Sequence, residues 1–232
     1  TEITNLESRD RAIDLITNMG GRREGYPVRS LFSVQFQGLD EDGLPTFLNE
    51  KGNVTSDDIN FQERENLDFL KYEGPTDPTI QGSLGNIFKY KGFALNVFLT
   101  YSFGNVVRLD PVFSATYSDL SSMTKEFKNR WVQPGDEKYT DVPVILSYYQ
   151  YQNNKQLRYG YNAYNYSDVR IAKGDFIRMK EISLSYDFPK AWIHPLNNLS
   201  LKLQATNLFL IYADKKLNGQ DPEFFRSGGV SS

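Results

Sequence analysis

The sequence predicts an all-β chain, and three observations carry that prediction. Aromatic residues make up 14% of the 232 residues, most of them contributed by 15 Tyr and 16 Phe. Strand formers at that density stand beside many Asn, Ser, Thr and Gly, the residues of turns between strands. Several segments alternate apolar and polar side chains with a period of two, the mark of a strand with one dry face and one tolerant of water. The connections between those segments are short on one side and long on the other.

The strands follow in order. "VRSLFSVQFQG" (Val28 to Gly38) is read as one strand, with Phe32, Val34 and Phe36 alternating against Leu31, Ser33, Gln35 and Gln37. "IQGSLGNIFKY" (Ile80 to Tyr90) has apolar even positions at Leu84, Phe88 and Tyr90, and its odd positions include Gln81, Ser83 and Lys89. Lys91-Gly92 then makes a tight connection of the kind that fixes a hairpin register. The next strand puts Phe93, Leu95, Val97, Leu99, Tyr101 and Phe103 on one face, against Ala94, Asn96, Phe98, Thr100 and Ser102 on the other. Further on, Ile182, Leu184, Tyr186 and Phe188 alternate with Ser183, Ser185 and Asp187. After a turn from Pro189 to Asn198, Leu199, Leu201, Leu203 and Ala205 alternate with Ser200, Lys202, Gln204 and Thr206.

Such stripes fit a core between two sheets, and they fit a membrane barrel whose apolar face meets lipid. The connections favour the barrel. The last four strands form two hairpins with short turns, whereas the stretches Leu39 to Thr79 and Asn105 to Arg170 are longer than a compact domain ordinarily leaves unstructured. Short turns at one rim and long loops at the other are the asymmetry of an outer-membrane barrel. Ten residues at about 3.3 Å each, tilted by about 45°, cover roughly its 25 Å apolar band. Tyr90, Tyr101, Phe103, Tyr186 and Phe188 fall at strand ends, where such barrels place aromatic belts. The mean hydropathy of -0.52 is no objection, because half of each strand and nearly all of each loop face water. The expected fold is therefore a partial wall of a large antiparallel transmembrane β-barrel with long extracellular loops. Its lipid-facing residues are Phe93, Leu95, Val97, Leu99, Tyr101, Phe103, Ile182, Leu184, Tyr186, Phe188, Leu199, Leu201 and Leu203. The competing reading is a soluble or surface carbohydrate-binding β-sandwich with its stripes buried.

One feature interrupts the pattern. Arg178 and Lys180 share the parity of the apolar face at Ile182 to Phe188, and a charge at mid-bilayer costs about 2–4 kcal/mol. A bulge near Lys180 and Glu181 would switch the faces. Alternatively, both side chains lie above the membrane, and this is the expected arrangement, since the strand can continue outward past the bilayer.

Several functions are excluded by composition. The net charge of -3, without a concentrated basic stripe, gives no footprint for nucleic acid. With no cysteine, disulfide frameworks, thiolate zinc sites and cysteine nucleophiles are all absent. His194 is the one histidine, between Pro189 and Pro195, and reads as a turn residue. Carboxylates such as Asp175 and Glu181 lie near one another, but no nucleophile, base and oxyanion donor come together. Neither an enzyme, a cofactor nor a metal site is expected. "DEDG" (Asp40 to Gly43) lacks the spacing of a full calcium loop and reads as a turn. No basic-then-apolar leader opens the sequence and no apolar run reaches the length of a spanning helix, so neither a signal peptide nor a transmembrane helix is expected. "TEITNLESRD" reads as mid-chain sequence.

The contact surface is expected in the long loops. "SSMTKEFKNRW" (Ser121 to Trp131) spaces Met123, Phe127 and Trp131 four apart, one face of a short amphipathic helix that packs against neighbouring loops or touches a partner. Tyr148, Tyr149, Tyr151, Tyr159, Tyr161, Tyr164 and Tyr166 offer flat apolar faces with a hydroxyl, suited to sugar rings, to a protein interface or to packing between loops. Trp131, Tyr148, Tyr149, Tyr151, Tyr159 and Tyr161 are the candidate substrate or partner contacts.

Five stretches carry a resemblance, in order along almost the whole chain. They are "EGYPVRSLFSVQFQGLDEDG" (Glu24 to Gly43), "GSLGNIFKYKGFALNVFLTYSFGN" (Gly82 to Asn105), "KGDFIRMKEISLSYDFPKAW" (Lys173 to Trp192), "LSLKLQATNLFLI" (Leu199 to Ile211) and "GQDPEF" (Gly219 to Phe224). Together they resemble the C-terminal end of the SusC/RagA family of TonB-linked outer-membrane transporters. The resemblance implies a segment, residues 1–232, of a barrel of about 22 strands with a plugged lumen. Such transporters import oligosaccharides, or in some members peptides, with a SusD-like surface lipoprotein and with energy from the TonB system acting through the plug. The resemblance implies that the plug, most of the barrel and the final closing strand are expected outside this segment. The implied partners are thus the rest of its own barrel, a SusD-like lipoprotein, TonB through the plug, an oligosaccharide or peptide substrate, and outer-membrane lipid. A wall of roughly six strands would have two open edges, and would be ordered only beside the remainder of its barrel.

Overall fold

The computed structural model describes residues 2–17, 20–112 and 125–223. In chain order the strands are β1 (Ser30–Val34), β2 (Phe36–Leu39), β3 (Pro45–Leu48), β4 (Val54–Thr55), β5 (Leu70–Pro75), β6 (Ile80–Tyr90), β7 (Phe93–Phe103), β8 (Val106–Arg108), β9 (Ile171–Lys173), β10 (Phe176–Asp187) and β11 (Ser200–Ala213). Three short α-helices join them: α1 (Ala12–Ile16), α2 (Tyr148–Asn153) and α3 (Leu157–Asn165). The chain divides into two compact units, one formed by residues 1–76, 106–172 and 225–232, the other by residues 77–105 and 173–224.

The second unit is a four-stranded antiparallel sheet in the order β6-β7-β10-β11. Its strands are 11, 11, 12 and 14 residues long, about twice the usual strand. Lys91 and Gly92 both have positive φ, 45° and 87°, as a two-residue turn matching the twist of its strands requires. Tyr90 stands opposite Phe93 at its base. A Cβ on Gly92 would lie 2.9 Å from the Asp187 carbonyl oxygen, so a larger residue is opposed by both conformation and space. The second hairpin runs from β10 to β11 through a 3-10 turn at Lys190–Trp192, closed by Phe188 N–H donating to Leu199 O at 3.0 Å.

The register of β10 resolves the position of Arg178. Ile177 and Met179 stand opposite Tyr101 and Leu99, whereas Ile182, Leu184 and Tyr186 stand opposite Val97, Leu95 and Phe93. The pairing with β7 slips by one residue between Met179 and Glu181, with the extra residue on β10, whereas the irregularities in the pairing with β11 put the extra residues on β11. Lys180 is the extra residue of a bulge, and it exchanges odd for even positions on the apolar face. The bulge, given above as the alternative to both side chains lying above the membrane, is therefore the arrangement found. Arg178, opposite Thr100, belongs to the polar face.

The first unit corrects the sequence reading twice. The single strand expected over Val28 to Gly38 is two strands in different sheets, β1 paired with β5, and β2 at the edge of a three-stranded sheet in the order β2-β3-β4. Gln35 separates them, and its side-chain Nε2 donates to Phe69 O at 3.1 Å. Both faces of β1 are buried, which includes Ser30 and Ser33. Ser33 Oγ is satisfied by Glu73 Oε1 at 2.5 Å, and Ser30 Oγ by Pro27 O at 2.6 Å. The long loops, in turn, are not open connections. Leu15, Ile16, Phe32, Phe47, Phe69, Phe127, Tyr161 and Tyr164 form one buried cluster drawn from stretches far apart in the chain. The sheet of long strands accordingly has four members rather than six.

Deleting Lys180 from the intact parent protein is expected to abolish folded material in the outer membrane. It would turn Ile177 and Met179 to the polar side and Arg178 to the apolar one, or else break the ladder. Heat-modifiable migration of the membrane-extracted protein reads this out, and a normal folded band would contradict the bulge.

Candidate functional site

The sheet of long strands offers two unlike faces. One carries Leu84, Phe88 and Tyr90 of β6, the six alternate apolar residues of β7, Ile182, Leu184 and Tyr186 of β10, and Leu201, Leu203 and Phe209 of β11. This face is open: Leu84 is 57% and Leu203 65% exposed. Four strands about 4.8 Å apart and some 30 Å long present an apolar surface on the order of 600 Å² even in flat projection, at the upper limit of what soluble monomers leave uncovered.

Aromatic rings close both ends of that face. At the turn end Phe93 and Tyr186 have ring centroids 4.4 Å apart, and Tyr186 and Phe188 4.9 Å. At the opposite end Tyr101 lies 5.9 Å from Phe103, which lies 6.5 Å from Tyr212. Ten residue steps from Phe93 to Phe103 measure about 33 Å along the strand, or about 25 Å at a tilt near 40°.

The other face is mainly polar, with Ile87, Ala94 and Phe98 among its apolar members. Asn96 Nδ2 donates to Glu181 Oε1 at 3.2 Å, and Ser185 Oγ donates to Ala94 O at 3.4 Å. Arg178 is buried on this side, and its Nη2 reaches Asp221 Oδ1 at 2.5 Å. Its Nε lies 3.0 Å from Glu223 Oε2, but the N–H is poorly directed, so that contact is Coulombic rather than a hydrogen bond.

The candidate contact residues of the first unit separate into presented and packed groups. Tyr148 and Tyr149 are 78% and 74% exposed on α2, whose start is fixed by a capping box between Ser147 and Gln150. Tyr151 and Tyr159 are half-buried. The Tyr159 hydroxyl accepts from Arg158 Nη2 at 2.9 Å, with that guanidinium 4.8 Å over its ring. Tyr161 is buried, and its hydroxyl donates to Val144 O at 2.6 Å. Burial pushes its ionisation, like that of Tyr164, well above the usual phenol range.

Trp131 is packed as well. Its indole lies against Gly43, where even a Cβ would come within 2.4 Å of the ring, and its Nε1 donates to Glu137 Oε2 at 3.2 Å. Tyr161 and Trp131, expected as substrate or partner contacts, thus serve the interior. Phe127 is buried in a 3-10 turn at Lys125–Asn129, while Met123 lies outside the described residues. Asp40 of "DEDG" closes its own turn, its Oδ1 accepting from Asp42 N–H at 3.0 Å and Leu44 N–H at 2.8 Å.

Two buried arginines escaped the sequence reading. Arg108 donates through Nη1 to Ser167 O at 3.3 Å and through Nη2 to Phe32 O at 2.7 Å. Desolvation lowers its pKa to about 10, which still leaves it charged at neutral pH. Arg170 pairs with Glu126 and donates to Asp110 O at 2.7 Å. Their flanking residues, "VVRLD" and "DVRIA", are mostly apolar, a faint signal that the charge is held inside.

No protein-family model matches the chain. It is 30% identical over 188 residues to the TonB-dependent receptor P39 of Formosa agariphila, a match covering 75% of this chain and 16% of that protein. Among solved structures it is similar to the RagAB peptide transporter, with a TM-score of 0.59 and 22% identity over 87% of this chain and 20% of that one. Similar values hold for the RagAB peptide importer in its open-open state, with a TM-score of 0.58 and 21% identity over 87% of this chain and 20% of that one. The chain therefore spans about a sixth of the length of its curated relative and about a fifth of the solved chains.

Replacing Trp131 with Ala is expected to cost the first unit about 3 kcal/mol, as removal of a packed aromatic does. Tyr149→Ala is expected to stay within about 0.5 kcal/mol. Thermal unfolding with limited proteolysis of the intact parent protein checks both, and equal, negligible effects would return Trp131 to the contact surface.

Proposed function

The chain is part of a SusC/RagA-type TonB-dependent protein of the outer membrane, and from that premise we propose that its sheet of long strands is a section of the transport barrel wall. The observation that carries this reading is the pair of faces on β6, β7, β10 and β11. One is apolar, open and bordered by aromatic rings, as a lipid-facing band requires. The other is mainly polar, as a lumen lining requires. The outer edges of β6 and β11 have no partner strand among the described residues, so each needs a further strand to satisfy its backbone in lipid. The rest of the barrel supplies it in this reading.

The whole protein is read as an active importer that works with a SusD-like surface lipoprotein and draws energy from TonB. The imported cargo is an oligosaccharide or a peptide, the latter supported by the likeness to a peptide transporter. Of the candidate contact residues, Tyr148 and Tyr149, the exposed pair on α2, are the ones presented to a cargo or lipoprotein. No catalytic step is assigned to the chain. The alternative, a carbohydrate-binding sandwich, is disfavoured by the open apolar face, which a sandwich would cover with a second sheet.

Single cysteines in the intact parent protein, in outer membranes, test the wall. Ser83→Cys and Gln204→Cys are expected to react with a small water-soluble thiol reagent, and Leu84→Cys and Leu203→Cys only with a lipid-soluble one. The absence of cysteine from this chain keeps its background low. Shielding of Leu84→Cys and Leu203→Cys from both reagents, in a protein soluble without detergent, would replace the wall with a sandwich core.

A further inference from the structure

The segment after β11 does not leave the sheet as a free loop. Asp214 starts it: its carboxylate accepts from Lys173 N–H at 2.8 Å and from Lys216 N–H at 2.9 Å. A 3-10 turn at Lys215–Leu217 follows, and Asn218 and Gly219, both with positive φ, reverse the chain. Leu217 and Pro222 are buried although the neighbouring residues are exposed. The segment then arrives at Arg178 with two carboxylates. Asp221 Oδ1 also accepts from Glu223 N–H at 3.0 Å, a local turn that holds both acids toward one guanidinium.

We propose that residues 214–223 are a strap latched across the polar face of the sheet, with Arg178 as its anchor. The asymmetry of exposure points to the anchor. The Arg178 side chain is 8% exposed, while Asp221 and Glu223 are 46% and 44% exposed, so the carboxylates cover the arginine rather than being enclosed themselves. A guanidinium so placed is held by its partners, because a buried charge left unpaired is strongly unfavourable. Arginine suits the task, since its guanidinium donates to Asp221 through Nη2 while the same delocalised charge faces Glu223. The Lys180 bulge is what makes the latch possible: without it, the strand's alternation would put Arg178 on the apolar face.

The consequence for transport rests on the wall reading above. There the polar face is the lumen, so the strap narrows the passage beside β10 and β11, and breaking one ion cluster widens it. The strap itself stands on local geometry alone.

The test uses Leu217→Cys in the intact parent protein in outer membranes, with a water-soluble maleimide as probe. Slow labelling is expected with Arg178 present. Arg178→Gln, and independently the pair Asp221→Asn with Glu223→Gln, are expected to raise the rate at least tenfold. Reversing the charges, Arg178→Glu with Asp221→Arg and Glu223→Arg, is expected to restore much of the protection. Heat-modifiable migration and unchanged Ser83→Cys labelling report an intact barrel, and if Arg178→Gln fails them, the Asp221/Glu223 pair decides. Fast labelling with Arg178 in place, or no change in either variant, would overturn the strap. If Leu84→Cys and Leu203→Cys fail the lipid test while Leu217→Cys still answers to Arg178, the wall falls and the strap stands.

Discussion

The pairing of β7 with β10 is the interaction on which the sheet depends. Each hairpin is local, closed by its own turn, but neither hairpin alone decides what its faces meet. Laying β10 antiparallel against β7 joins segments more than seventy residues apart and aligns their apolar residues into one surface. That pairing tolerates a single extra residue, Lys180, and the sorting of Arg178 from Ile177 and Met179 follows from it. Because strand side chains alternate strictly, one inserted residue reverses every position beyond it. A bulge here is therefore the device by which a strand with a misplaced arginine keeps an unbroken apolar face.

The other unit is organised by a different constraint, the burial of aromatic rings in connections that carry little regular structure. Phe36 lies 5.9 Å from Tyr164, Phe32 lies 5.1 Å from Tyr26, and Phe61 lies 6.5 Å from both Tyr159 and Tyr166. Rings brought together from stretches this far apart supply the apolar area that short strands cannot. The backbone between them is irregular, and its polar groups need partners. Arg108 and Arg170 meet part of that need, each donating to carbonyl oxygens in the interior. Asn49 does the same from its own turn, accepting from Lys51 and Asn53 N–H and donating to Asp58 O. Polar side chains thus act inside this unit as substitutes for a continuous hydrogen-bonded ladder.

These two solutions suit different surroundings. In the sheet, the backbone is satisfied by neighbouring strands, which frees one face to be mainly apolar and the other to be mainly polar. That combination is stable where lipid lies on one side and water on the other. In the aromatic unit most large apolar groups are hidden and the exposed residues are mostly polar, with Tyr139, Tyr148 and Tyr149 as conspicuous exceptions. Tyrosine is tolerated there because its hydroxyl remains hydrated while its ring offers a flat apolar face to whatever docks on it.

Periodicity by itself determined the strands from Ile80 to Phe103 and from Ile182 to Leu210, with their two hairpins, because strand alternation and turn chemistry are local properties. The apolar stripe, its aromatic ends and the family resemblance were legible for the same reason. Other features were decided only by tertiary structure. The break of Val28 to Gly38 into β1 and β2 arises from partners such as Phe69 that the local pattern does not contain. Trp131 and Tyr161 read as contact residues because an aromatic in a polar loop looks the same whether it faces solvent or a distant core. The latch on Arg178 needed both the bulge and the return of Asp221 and Glu223 from 43 and 45 residues further along the chain. Long-range contacts of that kind leave no periodic trace, since the residues that satisfy one another have no fixed spacing.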